Sequence, residues 1–160
     1  MLLEDVMPGN LHHAQEFLRQ KLGPEALGSE RGAGVAFVST IEDAVRQADL
    51  AIDCVPDELE SKLEIFCLLD RMAPPHTVLL TPTTRLSIAD LASCTYRPDK
   101  CIAIVAEASS LAEGAGSEIL LCTTSKTSAA TLDLVTRFFG HLGFTPTFER
   151  DSAETPTTDR

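Results

Sequence analysis

Carboxylate and hydroxyl side chains stand at the ends of several apolar runs in this sequence. Asp5, Asp57, the threonines from Thr81 to Thr84, and the segment from Glu107 to Ser109 all occupy such places. A carboxylate there can accept hydrogen bonds from ribose hydroxyls, and a carboxylate can also take a proton as a general base. These residues suggest nucleotide binding or proton transfer, although a solvated carboxylate explains Asp5 equally well.

The apolar runs alternate with helical patterns along the chain. The predicted strands are "LLEDV", "VAFV", "LAIDCV", "TVLLT", "CIAIVA", "EILLCTT" and "TFE". Five helices are predicted. Four of them follow a start signal, namely an N-cap at Asn10, a capping box at Thr40 and Asp43, a cap at Asp57 with Glu60, and a capping box at Ser87 and Asp90. The fifth runs from Ala129 to Leu142. This alternation predicts an α/β fold, a doubly wound and mostly parallel sheet that binds ligands beyond the carboxyl ends of its strands.

Composition and charge limit the classes of partner. The 160 residues are 44% hydrophobic and carry a net charge of −11, which argues against nucleic acid and anionic membranes as partners. No apolar run reaches the roughly 20 residues that span a bilayer, and no signal peptide is recognised. We therefore expect a cytoplasmic protein with one domain over residues 1–150, a connection rich in glycine from Gly23 to Gly34, and a disordered tail over residues 151–160.

The cysteines and histidines are scattered. The five cysteines have no C-x-x-C spacing, and none of the four histidines has a partner at metal-ligand spacing. We expect reduced, mostly buried thiols and no structural metal.

Four linked motifs between Ala48 and Ile104 carry a family resemblance. They read "ADLAIDCVPD", "KLEIF", "TPTTRLSI" and "RPDKC". The chain resembles, roughly from Leu2 to Glu149 and most strongly over this stretch, the NAD-binding domain of the 3-hydroxyacyl-CoA dehydrogenases. Chains of that family show "ADLVIEAVPE", "K-x-x-x-F", "SNTSSLSI" and "RP" at matching separations. The resemblance implies a Rossmann-like fold and, for the family, NAD-dependent oxidation of 3-hydroxyacyl-CoA.

The resemblance also implies roles for individual residues. Asp5 matches the acid that binds the adenosine ribose, and Thr84 replaces a serine that contacts nicotinamide and substrate. Thr84 is equally explained as a turn residue ahead of the Ser87 cap. The remaining matches line or face the cofactor cleft, and they are Cys54, Val55, Asp57 and Lys62.

The catalytic positions depart from the family pattern. Counted without a gap from Thr84, the family's histidine base falls on Val105, and a nearby asparagine falls on Ala108. Glu118 resembles the glutamate that orients the histidine, provided that one residue is inserted between them. Glu107 lies close to the missing base and either acts as a base itself or is simply a solvated carboxylate. The resemblance therefore implies that the chain has no catalytic residue of its own, with Thr84 and Glu118 as remnants.

The beginning and the end of the domain also differ from the family. The sequence lacks the family's first strand and its G-x-G-x-x-G turn, which binds the pyrophosphate, so we expect NAD to be bound weakly or not at all. An exposed sheet edge at the missing strand favours a homo-oligomer or a partner chain.

Three functional hypotheses follow. The first is an inactive NAD-binding domain of this family, with a nucleotide or acyl-CoA as its ligand. The second is a part of a longer, active oxidoreductase. The third is a Rossmann-like module for protein interaction or oligomerisation.

Overall fold

A computed structural model describes residues 1–23, 27, 34–107 and 118–154 of the chain. Two compact units are present. The first comprises Met1–Ala48 with Met72–Pro74, and the second comprises Asp49–Arg71 with Pro75–Arg160. Most of the predicted connection from Gly23 to Gly34, the residues Ala108 and Ser109, and the tail from residue 155 lie outside the described residues.

Strands and helices alternate along most of the chain, as the sequence predicts. The strands are β1 (Leu2–Glu4), β2 (Ala36–Val38), β3 (Leu50–Ile52), β4 (Val78–Pro82), β5 (Cys101–Ile104), β6 (Glu118–Thr123) and β7 (Thr145–Arg150). The helices are α1 (Pro8–Leu22), α2 (Ile41–Val45), α3 (Leu59–Met72), α4 (Ile88–Ser93) and α5 (Ala129–His141), with single 3-10 turns at Pro98–Lys100 and Ser152–Glu154.

In the first unit, β1 and β2 form a parallel pair. The predicted N-cap at Asn10 is wrong, because α1 begins at Pro8 with Met7 as its N-cap. Proline suits the first helical position, since its fixed φ is already helical and no N–H is needed there. The helix ends at Gly23, whose φ of 80° lies in the left-handed region.

The second unit contains a five-stranded sheet of order β3-β4-β5-β6-β7. The pairs β3/β4, β4/β5 and β6/β7 are parallel, whereas β5 and β6 run antiparallel. The predicted α/β class with a mostly parallel sheet is thus confirmed. Because β3, β4 and β5 are parallel, their carboxyl ends lie at one edge of the sheet.

The central strands of this sheet are buried. Every residue of β4 and β5 is buried, as expected for near-continuous apolar runs in a parallel sheet. Leu80 and Ile102 belong to a cluster that also includes Val135 and Phe139 of α5. This core fixes the strands whose ends carry the candidate site.

Local caps fix the starts of three helices. The hydroxyls of Thr40, Ser87 and Ser128 accept hydrogen bonds from N–H groups in the first turns of α2, α4 and α5. The predicted cap at Asp57 is not found, because α3 begins at Leu59 and the Asp57 carboxylate is used elsewhere. Among the described residues, none of the helices has the length and apolarity required to cross a bilayer.

Candidate functional site

Asp57 and Thr84, two of the predicted site residues, lie together. Asp57 stands in the connection from β3 to α3, and its carboxylate accepts hydrogen bonds from Thr83 Oγ1 at 2.5 Å and from the backbone N–H of Thr84 at 3.1 Å. The Thr83 hydroxyl in turn accepts from the N–H of Leu86 at 3.0 Å. These bonds fold the segment after β4 into a tight loop that leaves the Thr84 side chain exposed.

The same contacts favour the ionised form of Asp57. Partial burial opposes ionisation, but the hydrogen bonds from Thr83 and Thr84, with Lys62 and Arg85 nearby, outweigh it and lower the pKa of Asp57. The Arg85 guanidinium also donates to the backbone carbonyl of Asp57 at 2.6 Å. The loop is therefore held by an anionic carboxylate.

Lys62 is buried in an ion pair with Asp53, the residue after β3. Nζ of Lys62 lies 2.7 Å from Oδ1 of Asp53, and both side chains are only 1% exposed. Oδ2 of Asp53 and the hydroxyl of Thr81 on β4 are also buried, and neither has a hydrogen-bond partner among the described residues. The pairing of Ile52 with Leu80 brings Asp53 and Thr81 to neighbouring positions on the same face of the sheet.

Cys54 and Val55 follow Asp53. Cys54 is exposed and Val55 is half-buried, and the N–H of Val55 donates to Oδ1 of Asp53 at 3.3 Å. Although the residue as a whole is exposed, the protein atoms around its sulfur remove part of the hydration, and this desolvation and the nearby Asp53 carboxylate raise the pKa of the Cys54 thiol. Cys54 therefore offers a neutral thiol rather than a thiolate nucleophile.

Val105 occupies the carboxyl end of β5, where the family resemblance places the histidine. Its side chain is 36% exposed, and its N–H donates to the carbonyl of Leu120 at 2.9 Å. If the antiparallel register of β5 and β6 is continued by one residue, Val105 lies opposite Leu120. Glu118, two residues earlier on β6, therefore lies on the same face as Val105, and both Glu118 and Glu107 are exposed.

Asp5 belongs to the first unit. One of its carboxylate oxygens accepts from the N–H of Met7 at 2.7 Å, and the other accepts from Nδ2 of Asn10 at 3.1 Å. The carboxylate thus stabilises the start of α1, a local role that the sequence did not reveal.

Thr83 was among the candidate threonines, but two residues were missed from the sequence, Asp53, which pairs with Lys62, and Asp151, which accepts a hydrogen bond from Ser87. Asp53 stands within an apolar run, and the spacing of Lys62 from Leu59 and Phe66 places that lysine on an inward helical face. A lysine on such a face signals a buried acidic partner. Asp151 carries no comparable signal, because it lies in a polar segment.

The comparison with protein families decides the classification. The model of the 3-hydroxyacyl-CoA dehydrogenase NAD-binding domain matches residues 10–152. The chain belongs to this family. Asp5 precedes the matched range.

Relatives of the dehydrogenase family match parts of the chain. A probable 3-hydroxybutyryl-CoA dehydrogenase of Bacillus subtilis is 37% identical over 68 residues, which are 42% of this chain and 23% of that protein. The mitochondrial hydroxyacyl-coenzyme A dehydrogenase of Sus scrofa is 32% identical over 107 residues, 61% of this chain and 34% of that protein. The matched part of this chain thus spans 23% of the length of the first relative and 34% of the length of the second.

One solved structure of a dehydrogenase has the same fold as the present chain. The 3-hydroxybutyryl-CoA dehydrogenase from Escherichia coli K12 superposes with a TM-score of 0.74 and 21% identity, over 94% of this chain and 33% of that one. At this identity the likeness concerns the fold alone.

The family name implies NAD as a cofactor, and the described residues offer suitable groups for only part of that molecule. The Thr84 side chain is exposed and its hydroxyl lies 3.5 Å from Oδ2 of Asp57, so it can exchange a hydrogen bond with a polar group of a ligand. The ammonium of Lys62 is less suited, because it is buried against Asp53. For the pyrophosphate, the sequence contains no G-x-G-x-x-G turn.

Proposed function

We propose that this chain is an NAD-binding domain of the 3-hydroxyacyl-CoA dehydrogenase family that does not catalyse the dehydrogenation by itself. The observation that carries the proposal is Val105 at the end of β5. Oxidation of a hydroxyl group requires a base that takes the proton while hydride leaves for NAD. Valine has no proton-accepting group, and without an imidazole Glu118 has nothing to orient.

The cofactor contacts of this proposal lie at the ends of β3 and β4. Cys54, Val55 and Asp57 line the cleft, and Thr84 contacts the nicotinamide. When bound, NAD supplies a hydride acceptor; the protein groups bind and orient it. We expect the contacts of these residues alone to hold NAD or an acyl-CoA weakly, because they include no glycine-rich phosphate turn.

Two measurements test this proposal separately. The first follows NADH formation from 3-hydroxybutyryl-CoA and NAD, with an active member of the family as the positive control. We expect no turnover by this chain. A rate that Glu107→Gln abolishes would identify Glu107 as the base and overturn the inactivity.

The second measurement is a thermal-shift titration with NADH, because a ligand that binds only the native state raises its stability. We expect a shift at high NADH concentration that Thr84→Ala reduces and Asp133→Asn leaves unchanged, since Asp133 lies exposed on α5. No shift at saturating NADH would exclude cofactor binding and favour the interaction module.

The outer edge of β3 supports a second candidate function. Among the described residues of its sheet, β3 pairs only with β4, and Ile52 is 39% exposed. An apolar strand edge of this kind can pair with a second copy or with another chain, including the remainder of a longer oxidoreductase. Light scattering should then show association that Ile52→Lys weakens and Lys126→Ala does not, whereas a monomer at high concentration would argue against it.

A cytoplasmic location belongs to the same proposal. Cys54, Cys67, Cys94 and Cys101 are free thiols, which suits a reducing compartment.

A further inference from the structure

The loop between β4 and α4, residues 83–87, is held at both ends by carboxylates from distant parts of the chain. At the first end, Asp57 binds Thr83 and Thr84. At the second end, Oδ2 of Asp151 accepts from the Ser87 hydroxyl at 2.7 Å and from the N–H of Ala89 at 2.9 Å. Asp151 follows β7 and is 64 residues from Ser87.

Asp151 is itself firmly placed. The residue is 4% exposed, its N–H donates to the carbonyl of Thr123 at 2.8 Å, and its Oδ1 accepts from the N–H of Ala153 at 3.0 Å. It is the first residue of the tail predicted over residues 151–160, of which the structure describes residues 151–154. Because both carboxylate oxygens and the backbone are bonded, Asp151 sets the position of Ser87 relative to the sheet.

The ionised form of Asp151 fits this role. Burial opposes ionisation, but the hydrogen bonds from Ala89, Ala153 and Ser87 outweigh it and lower the pKa of Asp151. The carboxylate therefore remains a triple acceptor at neutral pH.

We propose that Asp151 is a positioning residue of the candidate site, which holds Ser87 and thereby fixes the loop that presents Thr84. The inference rests on the proposed function in one respect, that Thr84 contacts the cofactor. If the hydrogen bonds of Asp151 strengthen NADH binding by some factor, thermodynamic linkage requires that bound NADH stabilise the attachment of residues 151–153 by the same factor.

Amide hydrogen exchange tests the positioning without any ligand. Asp151→Asn keeps the shape of the side chain but leaves one acceptor oxygen for three donors. We expect the Ala89 amide to exchange about tenfold faster in this variant, while the amide of Val135 in α5 keeps its rate. Asp90→Asn is the matched control, because it removes a carboxylate from the first turn of the same helix without touching the bonds to Asp151.

A merely structural role for Asp151 would give a different result. All slowly exchanging amides, including that of Val135, would then accelerate together through global destabilisation. That outcome, or an unchanged Ala89 rate, would overturn the proposal.

NADH binding supplies the second arm. We expect the NADH dissociation constant of Asp151→Asn to rise by about threefold or more, that of Asp90→Asn to stay unchanged, and NADH to slow exchange of the Ala153 amide in the parent protein. Equal affinity in the parent and Asp151→Asn would overturn the link to Thr84. If the parent protein does not bind NADH, the proposed function fails, and the exchange rates without ligand still decide whether Asp151 positions the loop.

Discussion

Replacement of Lys62 by methionine tests the buried contact at the end of β3. The variant keeps an apolar side chain of similar length, but Asp53 loses the ammonium that lies 2.7 Å from its Oδ1. Removal of one partner from a buried ion pair costs about 3–5 kcal/mol of unfolding free energy. We expect the upper half of this range, because Oδ2 of Asp53 already lacks a hydrogen-bond partner among the described residues.

A double variant separates the ion pair from the packing of the lysine chain. In Asp53→Asn/Lys62→Met neither residue is charged, and the amide oxygen can still accept from the N–H of Val55. This variant should regain at least about 2 kcal/mol relative to Lys62→Met, because the uncompensated buried charge is gone.

Urea unfolding followed by far-ultraviolet circular dichroism is the suitable assay, since the chain has no tryptophan and a single tyrosine. Arg137→Met is the matched control. Its guanidinium pairs with Asp133 at 3.0 Å on the surface of α5, with both side chains about two-thirds exposed, so a loss below about 0.5 kcal/mol is expected. A loss below about 1 kcal/mol for Lys62→Met, or a double variant less stable than Lys62→Met, would refute the reasoning.

Three further changes probe neighbouring groups. Thr81→Val removes a buried hydroxyl that has no partner among the described residues, so urea unfolding should give a free energy equal to or higher than that of the parent. A loss above about 1 kcal/mol would reveal a partner for the hydroxyl. Asp57→Asn removes a carboxyl with a lowered pKa, whose stabilisation is present above about pH 4 and lost as the pH falls through its folded pKa. The difference in urea midpoint between parent and Asp57→Asn should therefore shrink from about pH 6 to about pH 3, and a widening difference would contradict the assignment. Burial raises the pKa of Cys94 to about 12 and that of Cys101 to about 11, so mass spectrometry should find these thiols labelled slowly by iodoacetamide at about pH 8. Equal labelling of both in folded and urea-unfolded protein would contradict this.

The helix starts show which structural features a sequence can reveal. The N-caps at Thr40 and Ser87 were predicted correctly, because each hydroxyl and the N–H that it binds lie within one turn and the pattern is local. Asp57 has the residue type of a cap and the correct spacing to Glu60, but its carboxylate binds Thr83 and Thr84 instead. The competing partners lie 26 and 27 residues away, and no local pattern reports a contact at that separation.

The fold class was predictable for a different reason. Near-continuous apolar runs such as "TVLLT" and "CIAIVA" require burial on both faces, and parallel strands covered by helices are the usual way to provide it. The antiparallel pairing of β5 with β6 was not predicted, since an apolar run reads the same in either direction. The order of strands is likewise set by tertiary contacts rather than by the runs themselves.

The charged groups at the ends of β3 and β4 bear on what the site can do. Asp53 is paired with Lys62, and the Asp57 carboxylate is occupied by Thr83 and Thr84 with Arg85 beside it. A general base must exchange its proton with a ligand, whereas the Asp57 carboxylate is engaged by protein donors and the Asp53 carboxylate is buried beside Lys62. Such an arrangement stabilises a loop and orients a hydroxyl. Together with valine at the end of β5, it supports the proposal that this part of the site binds a ligand without transferring a proton.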